Sequence, residues 1–520
     1  MTRHKEPMTE ILKWLRQLPA VTPRSHLSSD SRAIVKGDVF FAFPISGSNG
    51  VSGDGRRHIQ NAVDNGAVAV VYEADNFTWD AGIRLPHLAV AGLQGKLGSI
   101  ANAWYAEPDR AMLTVAVTGT NGKTSCSQWL AKALSLTGKT SAVIGTLGVG
   151  NYKDGTLTNL VETGFTTPDA IQLQRRLADL RDAGAKALAI EASSIGLHQG
   201  RLNGLHVDVA LLTNLTRDHL DYHGDMATYA AAKTQLFDWP DLGVAVLNLD
   251  DAYGVELVQH LNASRSKKQV ETRVLGYSLE QKEHDAVEVI YASNIRTHHA
   301  GTSFHVDSPF GSGQVKTQMI GRFNVSNVLG VLSVLLATGV AWSKAVGVIE
   351  KLTSVPGRMQ QLGTAGHVMV VIDYAHTPDA LEKTVQTLQQ VAQERHGELW
   401  CVFGCGGDRD PGKRPQMGRI AEQAQHVVVT SDNPRTENPA DIIAQILKGM
   451  SGTPQAIEDR ASAILYAIKH AGNNDVVLLA GKGHENYQDI HGKKWPFSDE
   501  EHAALALATI ATSGNMKRSS

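Results

Sequence analysis

Short apolar runs of four to seven residues alternate with longer helical patterns along most of this 520-residue chain. That alternation is the signature of repeated βαβ units and parallel sheets. A Val-Pro-Gly break at residues 355–357 separates two such series, and a shorter, less regular block precedes both. The fold class read from these features is α/β in three domains, which suits a length prior of roughly 150 residues per domain. A chain of this size buries several cores and has no need of disulfide staples.

The first block runs over residues 1–110 and closes at AEPDR, where Pro108 breaks the pattern before a new strand. Apolar runs at 39–43 and 67–72 read as strands, and the Gly- and Ser-rich stretch 44–55 reads as a loop. The N-terminal segment sets apolar residues at helical spacing among charges, with no continuous apolar run before a small-residue cleavage site, so it is not read as a signal peptide. The second block, 111–354, carries strand patterns at 113–117, 142–144, 187–190, 207–212 and 244–247. Its most apolar stretch, 325–342, is interrupted by Ser326, Asn327, Gly330, Ser333, Thr338 and Gly339, which would be costly in lipid; it reads as a buried helix. The third block, 355–520, repeats the alternation at 368–372, 399–403, 427–430 and 476–479.

Charge narrows the partners. The 49 basic and 52 acidic side chains leave a net charge of −3, so no global attraction to nucleic acid or to an anionic membrane is expected, and any polyanion must be met locally. Cys126, Cys401 and Cys405 are too few and too scattered for a disulfide framework and suit a reducing cytoplasm.

In open parallel sheets, ligands collect beyond the carboxyl ends of the strands, where loops and helix N-termini present free donors. The residues after each strand are therefore the candidates. After 113–117 comes TGTNGKTS, leading into a helix expected to begin near Ser125. This is a phosphate loop by mechanism: Gly119 and Gly122 let the backbone of Thr120, Asn121 and their neighbours approach phosphates, Lys123 meets the β/γ oxygens, and the Thr124 hydroxyl can ligate Mg²⁺. Val117 stands where the general pattern has its distant first glycine. A tight strand-to-helix turn is the plainer reading; GKT at such a junction favours the phosphate loop.

Two more strand ends in this block are polar. Glu191 ends one in EASS, and Thr213 and Asn214 end another before RDHLDYHGD. A carboxylate and the His219 imidazole beside a phosphate loop fit a Mg²⁺ site, since phosphoryl transfer between anions needs metal charge. Standing alone, Glu191 could equally pair with a basic neighbour. His219 and His223 at i, i+4 could bind zinc, but the intervening LDY and Gly224 read as a loop and no cysteine lies nearby. Asp225 reads as the N-cap of the helix MATYAAAKTQLF. Lys233 on that helix reads as a solvated lysine, unless its alanine neighbours let it lie buried beside a metal.

The third block ends its strands in DYAHTP, FGCGGDRD, SDNPRTENP and AGKGHE. Arg409 and Arg435 suggest bidentate clamping of carboxylates, and Asp373 and His376 are placed to reach a ribose hydroxyl. One member of the Cys401–Cys405 pair lies inside a strand, which argues against a metal pair.

Taken together, TGTNGKT, EASS and TNLTRDHLDYHGD resemble the Mur ligase family over nearly the whole chain. DNPR and GKGHE narrow the resemblance to members that add the third residue of the peptidoglycan stem peptide. The resemblance implies a central P-loop-type parallel sheet with helices on both faces, a Rossmann-like C-terminal domain and a smaller N-terminal one. It also implies a cytoplasmic, monomeric ligase using ATP and Mg²⁺ to join UDP-N-acetylmuramoyl-L-alanyl-D-glutamate to a diamino acid through an acyl phosphate. Lys123, Glu191, His219 and Lys233 would be catalytic. Thr124, Glu191, His219 and Lys233, the last as its carbamate (N6-carboxylysine), would serve the metal. The ATP set would be Gly119, Thr120, Asn121, Gly122, Lys123, Thr124 and Ser125 with Asn324, Asn327, Arg358, Asp373 and His376. Ser31, Thr166, Thr167, Ser193, Gln199 and Arg201 would meet the UDP-sugar. Arg409, Asp432, Asn433, Pro434, Arg435, Gly481 and Glu485 would receive the amino acid, meso-diaminopimelate over lysine, because an arginine fork can hold the second carboxylate that lysine lacks.

Two departures from the family stand out: Ile195 replaces a common histidine, and 44–55 lacks the family's HQ-containing stretch. The competing readings are a folylpolyglutamate synthetase-like ligase, which shares the phosphate loop, and a nucleotide-gated binding protein without turnover.

Overall fold

A computed structural model describes residues 6–47, 50–162, 164, 166–264, 271–280, 287–298, 301–363 and 367–516. It forms two compact units, one of Met1–Tyr291 with Leu329–Ala345, the other of Ala292–Val328 with Val346–Ser520.

The first unit begins with a parallel sheet ordered Leu27–Ser28, Val39–Ala42, Ala69–Glu73 and His87–Val90. Val39, Phe41, Val71, Leu97 and Ile100 form a core on one face, and Phe40, Val70 and Ile59 form one on the other. The stretch expected as a loop at 44–55 is instead largely an antiparallel hairpin, Pro44–Gly47 with Gly50–Asp54. Its glycines and serines hide the strand pattern, because the hairpin has few apolar side chains to alternate.

The larger sheet of this unit is parallel through Ser141–Gly145, Ala187–Glu191, Leu113–Thr118, Val209–Leu212, Val244–Asn248 and Arg273–Ser278. Beyond Ser141–Gly145 an antiparallel ribbon, Gly148–Lys153 with Thr156–Val161, extends it. The chain passes from Leu113–Thr118 to Ser141–Gly145 before filling the gap between them with Ala187–Glu191, and then continues on the opposite side with Val209–Leu212. The carboxyl ends of three central strands therefore converge. Glu191 lies opposite Val117 in register, and Thr118 lies opposite Leu212.

The stretch 325–342 is helical, but not as one helix: Arg322–Ala337 ends where Gly339 takes a φ of +83°, and a second helix, Trp342–Ile349, follows. Helix therefore stops at Ile349, several residues before the Val-Pro-Gly break. Among the described residues no helix is long and apolar enough to cross a membrane.

The second unit holds a sheet ordered Gln360–Leu362, Met369–Asp373, Val476–Ala480, Leu399–Phe403, His426–Val429 and Gln455–Ala456. It is parallel except for its first strand. Val371, Leu388, Phe403 and Leu478 pack one face; Val370, Val402, Ile464 and Leu479 pack the other. Strands buried on both faces read as continuous apolar runs, which is why the sequence locates them well.

Candidate functional site

The phosphate-type loop leaves the Leu113–Thr118 strand at Gly119 and enters the helix Lys123–Leu136 behind Gly122. The helix starts two residues before Ser125, because Gly122 at φ +85° is its N-cap. Gly119 sits at φ +148°, and a Cβ there would come within 1.9 Å of Thr213 Oγ1. The loop is held from the next strand end. Thr213 Oγ1 donates to Asn121 O at 2.6 Å, Asn214 O accepts from Thr120 N at 2.9 Å, and Asn214 Oδ1 accepts from Asn121 N at 2.9 Å. Lys123 Nζ folds back onto Gly119 O at 2.9 Å and Thr120 O at 2.8 Å.

Glu191 is fully buried beside this loop. Thr124 Oγ1 donates to its Oε2 at 3.1 Å, and Thr146 reaches it through N to Oε1 at 2.8 Å and Oγ1 to Oε2 at 3.1 Å. Hydroxyls and a backbone amide hold this carboxylate, in place of the basic neighbour that was one reading. Thr146 has no sequence signal of its own; it follows the Ser141–Gly145 strand in an otherwise unremarkable GTLG.

Lys233 is buried, not solvated, and donates to Gly119 O at 2.8 Å. Its ammonium lies 4.5 Å from the centre of the Tyr229 ring, whose hydroxyl pairs with Thr120 Oγ1 at 3.1 Å. The helix Met226–Phe237 begins, as read, at Asp225, whose side chain accepts from Thr228 N at 2.7 Å. Burial first, then the charge of Lys123, pushes the Lys233 amine well below the ordinary lysine value.

His219, in the left-handed region at φ +53°, caps a short helix, Leu220–His223, where a loop was expected. Its imidazole is held below its usual value by burial, with the charges of Lys123 and Lys233 acting the same way against Asp218. His223 turns aside to Ser194 Oγ at 3.0 Å, so the two imidazoles do not face one ligand. Among the described residues no three His, Cys, Asp or Glu side chains cluster as a metal site.

The residues assigned to the UDP-sugar mostly gather next to Glu191. Thr166 Oγ1 meets Thr146 Oγ1 at 3.2 Å, Thr167 Oγ1 donates to Glu191 O at 2.9 Å and meets Ser193 Oγ at 2.9 Å. Arg201 donates to Thr167 O at 2.8 Å and to Gln199 Oε1 at 2.9 Å. Ser31 lies on a short 3-10 turn, its carbonyl held by Asn65.

In the second unit, Asp373 Oδ2 accepts from Met359 N at 2.8 Å, and the Arg358 guanidinium lies 4.5 Å from the Tyr374 ring centre. Burial pushes the Asp373 carboxyl above its ordinary value, against the pull of Arg358. His376 is exposed, with Nδ1 2.8 Å from Tyr374 O. Asn324 and Asn327 are buried, and Asn324 Nδ2 donates to Ile320 O at 3.0 Å.

The DNPR and GKGHE loops meet beyond His426–Val429 and Val476–Ala480, the strands on either side of Leu399–Phe403. Asn433 Nδ2 donates to Glu485 Oε2 at 2.8 Å. Arg435, at φ +52°, donates from NH1 to Gly407 O at 2.7 Å. Gly406 gives Arg435 and Arg409 their room: a Cβ there would lie 2.9 Å from Arg435 NH1 and 3.9 Å from Arg409 Cγ. Arg409 is exposed, and Pro434, Asp432 and Asn433 are buried. Gly481, at φ +112°, would carry a Cβ 2.5 Å from Asp432 Oδ2. Sequence reading missed Lys482, fully buried between Asn433 and Glu485, and Asp489, whose carboxylate lies 3.9 Å from Arg435 Nε. GKGHE displays the lysine, but nothing in the letters turns it inward.

A phosphate loop, a buried carboxylate and a buried lysine at one sheet edge, with an Arg-, Asn- and Glu-lined loop cluster on a second α/β sheet, define a phosphate-handling α/β protein. Residues 117–335 match the Mur ligase middle domain, and 357–483 match the Mur ligase glutamate ligase domain. The chain belongs to the Mur ligase family. It is 58% identical over 510 residues, 98% of each chain, to the UDP-N-acetylmuramoyl-L-alanyl-D-glutamate–2,6-diaminopimelate ligase of Janthinobacterium sp. (strain Marseille). It is 52% identical to the ligase of the same name from Ralstonia nicotianae, over 96% of each chain. A solved structure of a ligase with that name is 38% identical and covers 94% of this chain and 95% of its own, with a TM-score of 0.66. Folylpolyglutamate synthase of Mycobacterium tuberculosis, 18% identical over 74% of this chain and 92% of its own with a TM-score of 0.58, shares the fold.

Proposed function

We infer that the chain is an ATP-dependent amide ligase that adds meso-2,6-diaminopimelate to UDP-N-acetylmuramoyl-L-alanyl-D-glutamate in peptidoglycan precursor synthesis. The observation that carries this is the near-complete match to diaminopimelate ligases at 58% identity, joined to an Arg435, Asn433 and Glu485 cluster able to take both a carboxylate and an ammonium.

The chemistry runs in two steps. The D-glutamyl carboxylate attacks the γ-phosphorus of ATP, releasing ADP and forming an acyl phosphate. The amine of diaminopimelate then adds to the acyl carbon, and phosphate leaves from the tetrahedral intermediate as the amide forms. Lys123 and the backbone of Gly119, Thr120, Asn121, Gly122 and Ser125 would hold the triphosphate, and Asn324, Asn327, Arg358, Asp373 and His376 the rest of the nucleotide. Thr166, Thr167, Ser193, Gln199 and Arg201 would bind the UDP-sugar, with Ser31 contributing from the N-terminal domain.

The donor set suits Mg²⁺, a hard cation that takes oxygen ligands: Glu191 and Thr124 lie side by side, with His219 among the charges of the same loop. When bound, the ion would offset charge on the reacting phosphate. A carbamate on Lys233 would turn a buried cation into an oxygen donor, and the lowered amine is the nucleophilic form that takes up CO₂. Domains at 1–110, 111–354 and 355–520, a cytoplasmic location and a monomeric state complete the reading.

A substrate panel tests it. With UDP-muramoyl dipeptide and ATP, phosphate release is expected with diaminopimelate and not with lysine or ornithine; release driven by lysine or by a folate would discard it.

A further inference from the structure

The GKGHE loop contributes a residue beyond those that would face the amino acid. We propose that Lys482 is a positioning residue that fixes the Asn433 amide and the Glu485 carboxylate in the orientation that selects a substrate bearing a distal ammonium. This rests on the diaminopimelate reading above.

Lys482 is fully buried, between two glycines at φ +112° and +55°. That left-handed flanking turns its side chain inward, where its Nζ donates to Asn433 Oδ1 at 3.0 Å and to Glu485 Oε2 at 3.2 Å. Asp432 Oδ1 lies 3.9 Å away, and the Tyr487 ring closes the remaining side at 5.6 Å. Asn433 Oδ1 also accepts from Asp489 N at 3.0 Å. Two donors on one amide oxygen leave only one assignment of the Asn433 amide, with Nδ2 toward Glu485 Oε2 at 2.8 Å.

The consequence falls on Glu485. Both contacts, from Lys482 and from Asn433, go to Oε2, and among the described residues none reaches Oε1. The carboxylate is thus fixed by one oxygen and offers the other. Without Lys482, Asn433 Oδ1 would keep Asp489 N alone and Glu485 would keep the Asn433 amide alone, so Glu485 could swing to solvent, and the pocket would lose its preference for an ammonium while keeping Arg435 for a carboxylate.

The test compares Lys482→Met, which keeps an unbranched side chain one atom shorter but removes its charge and donors, with Lys482→Arg, which keeps charge and donors. Each full-length variant is assayed for kcat/KM with meso-diaminopimelate and with 2-aminopimelate, which has both carboxylates and no distal amine, and for the KM of ATP. Lys482→Met is expected to lower the preference for diaminopimelate at least tenfold with the ATP KM within twofold, and Lys482→Arg to hold the preference within threefold of wild type. A Lys482→Met preference within threefold of wild type would overturn the proposal, as would an equal rise in both KM values. Should that variant not fold, Lys482→Arg decides alone: preference kept supports the proposal, preference lost overturns it. If wild type itself ignores diaminopimelate, the functional reading fails; if wild type prefers it and Lys482→Met does too, only the positioning role falls.

Discussion

Asp499→Asn is expected to destabilise the second unit by about 3–5 kcal/mol, the cost of leaving one partner of a buried ion pair uncompensated. Arg460 and Asp499 both have side chains 0% exposed. Arg460 Nε and NH2 donate to the two carboxylate oxygens at 2.7 Å each, and NH2 also donates to Ala480 O at 3.0 Å. Asparagine replaces one acceptor with a donor, so one of the two bonds becomes a donor facing a donor and the guanidinium loses its counter-charge. A charge-assisted bond contributes about 1.5–3 kcal/mol, so the one bond lost supplies part of that cost and the stranded guanidinium charge the rest. At about 1.4 kcal/mol per factor of ten, the opening equilibrium rises by roughly two to four orders of magnitude. Hydrogen exchange of the Val476–Ala480 amides reports it, since that strand lies between Met369–Asp373 and Leu399–Phe403. A loss of protection under tenfold would refute the reasoning. The double replacement Arg460→Leu with Asp499→Leu, which strands no charge, is expected to stay closer to wild type than Asp499→Asn alone.

Three further outcomes are expected. Arg414 clamps both oxygens of Glu437 at 2.8 Å and holds its carboxyl at about 2, against an ordinary 4.5. A depressed folded value gives stability that is present above pH 4.5 and lost as pH falls toward 2. The melting-temperature gap between wild type and Glu437→Gln is therefore expected to be full at pH 7 and to shrink between those values; a gap that widens in acid would contradict the clamp. Lys233→Ala is expected to lose activity by about a hundredfold or more, partly restored by added short carboxylates, and normal turnover in that variant would discard the carbamate. Arg435→Ala is expected to cost about 1.5–3 kcal/mol of diaminopimelate binding, seen as a rise in its KM with that of ATP little changed; equal rises would remove the specificity role.

What the sequence by itself determined is the class of the fold, the parallel strands and the residues at their carboxyl ends. Those strands are buried on both faces, so their apolar runs are continuous in the letters, and polar residues such as Glu191, Thr213 and Asp373 mark where the apolar runs end. Glycine and lysine in GKT likewise declare a phosphate loop, because backbone approach and charge are properties of residue types. Only the tertiary structure decided which polar groups lie dry and which partners they meet. Lys233, read from its own stretch as solvated unless buried beside a metal, and Lys482, which sequence reading passed over, are both buried, because their surroundings come from strands and loops far away in the chain. Thr146 meets Glu191 across 45 positions and Asp489 meets Asn433 across 56. The hairpin at Pro44–Gly47 and Gly50–Asp54 escaped because its pairing is set by backbone hydrogen bonds rather than by side-chain pattern. Burial and pairing of this kind arise only when distant segments close on one another, and local residue patterns do not record them.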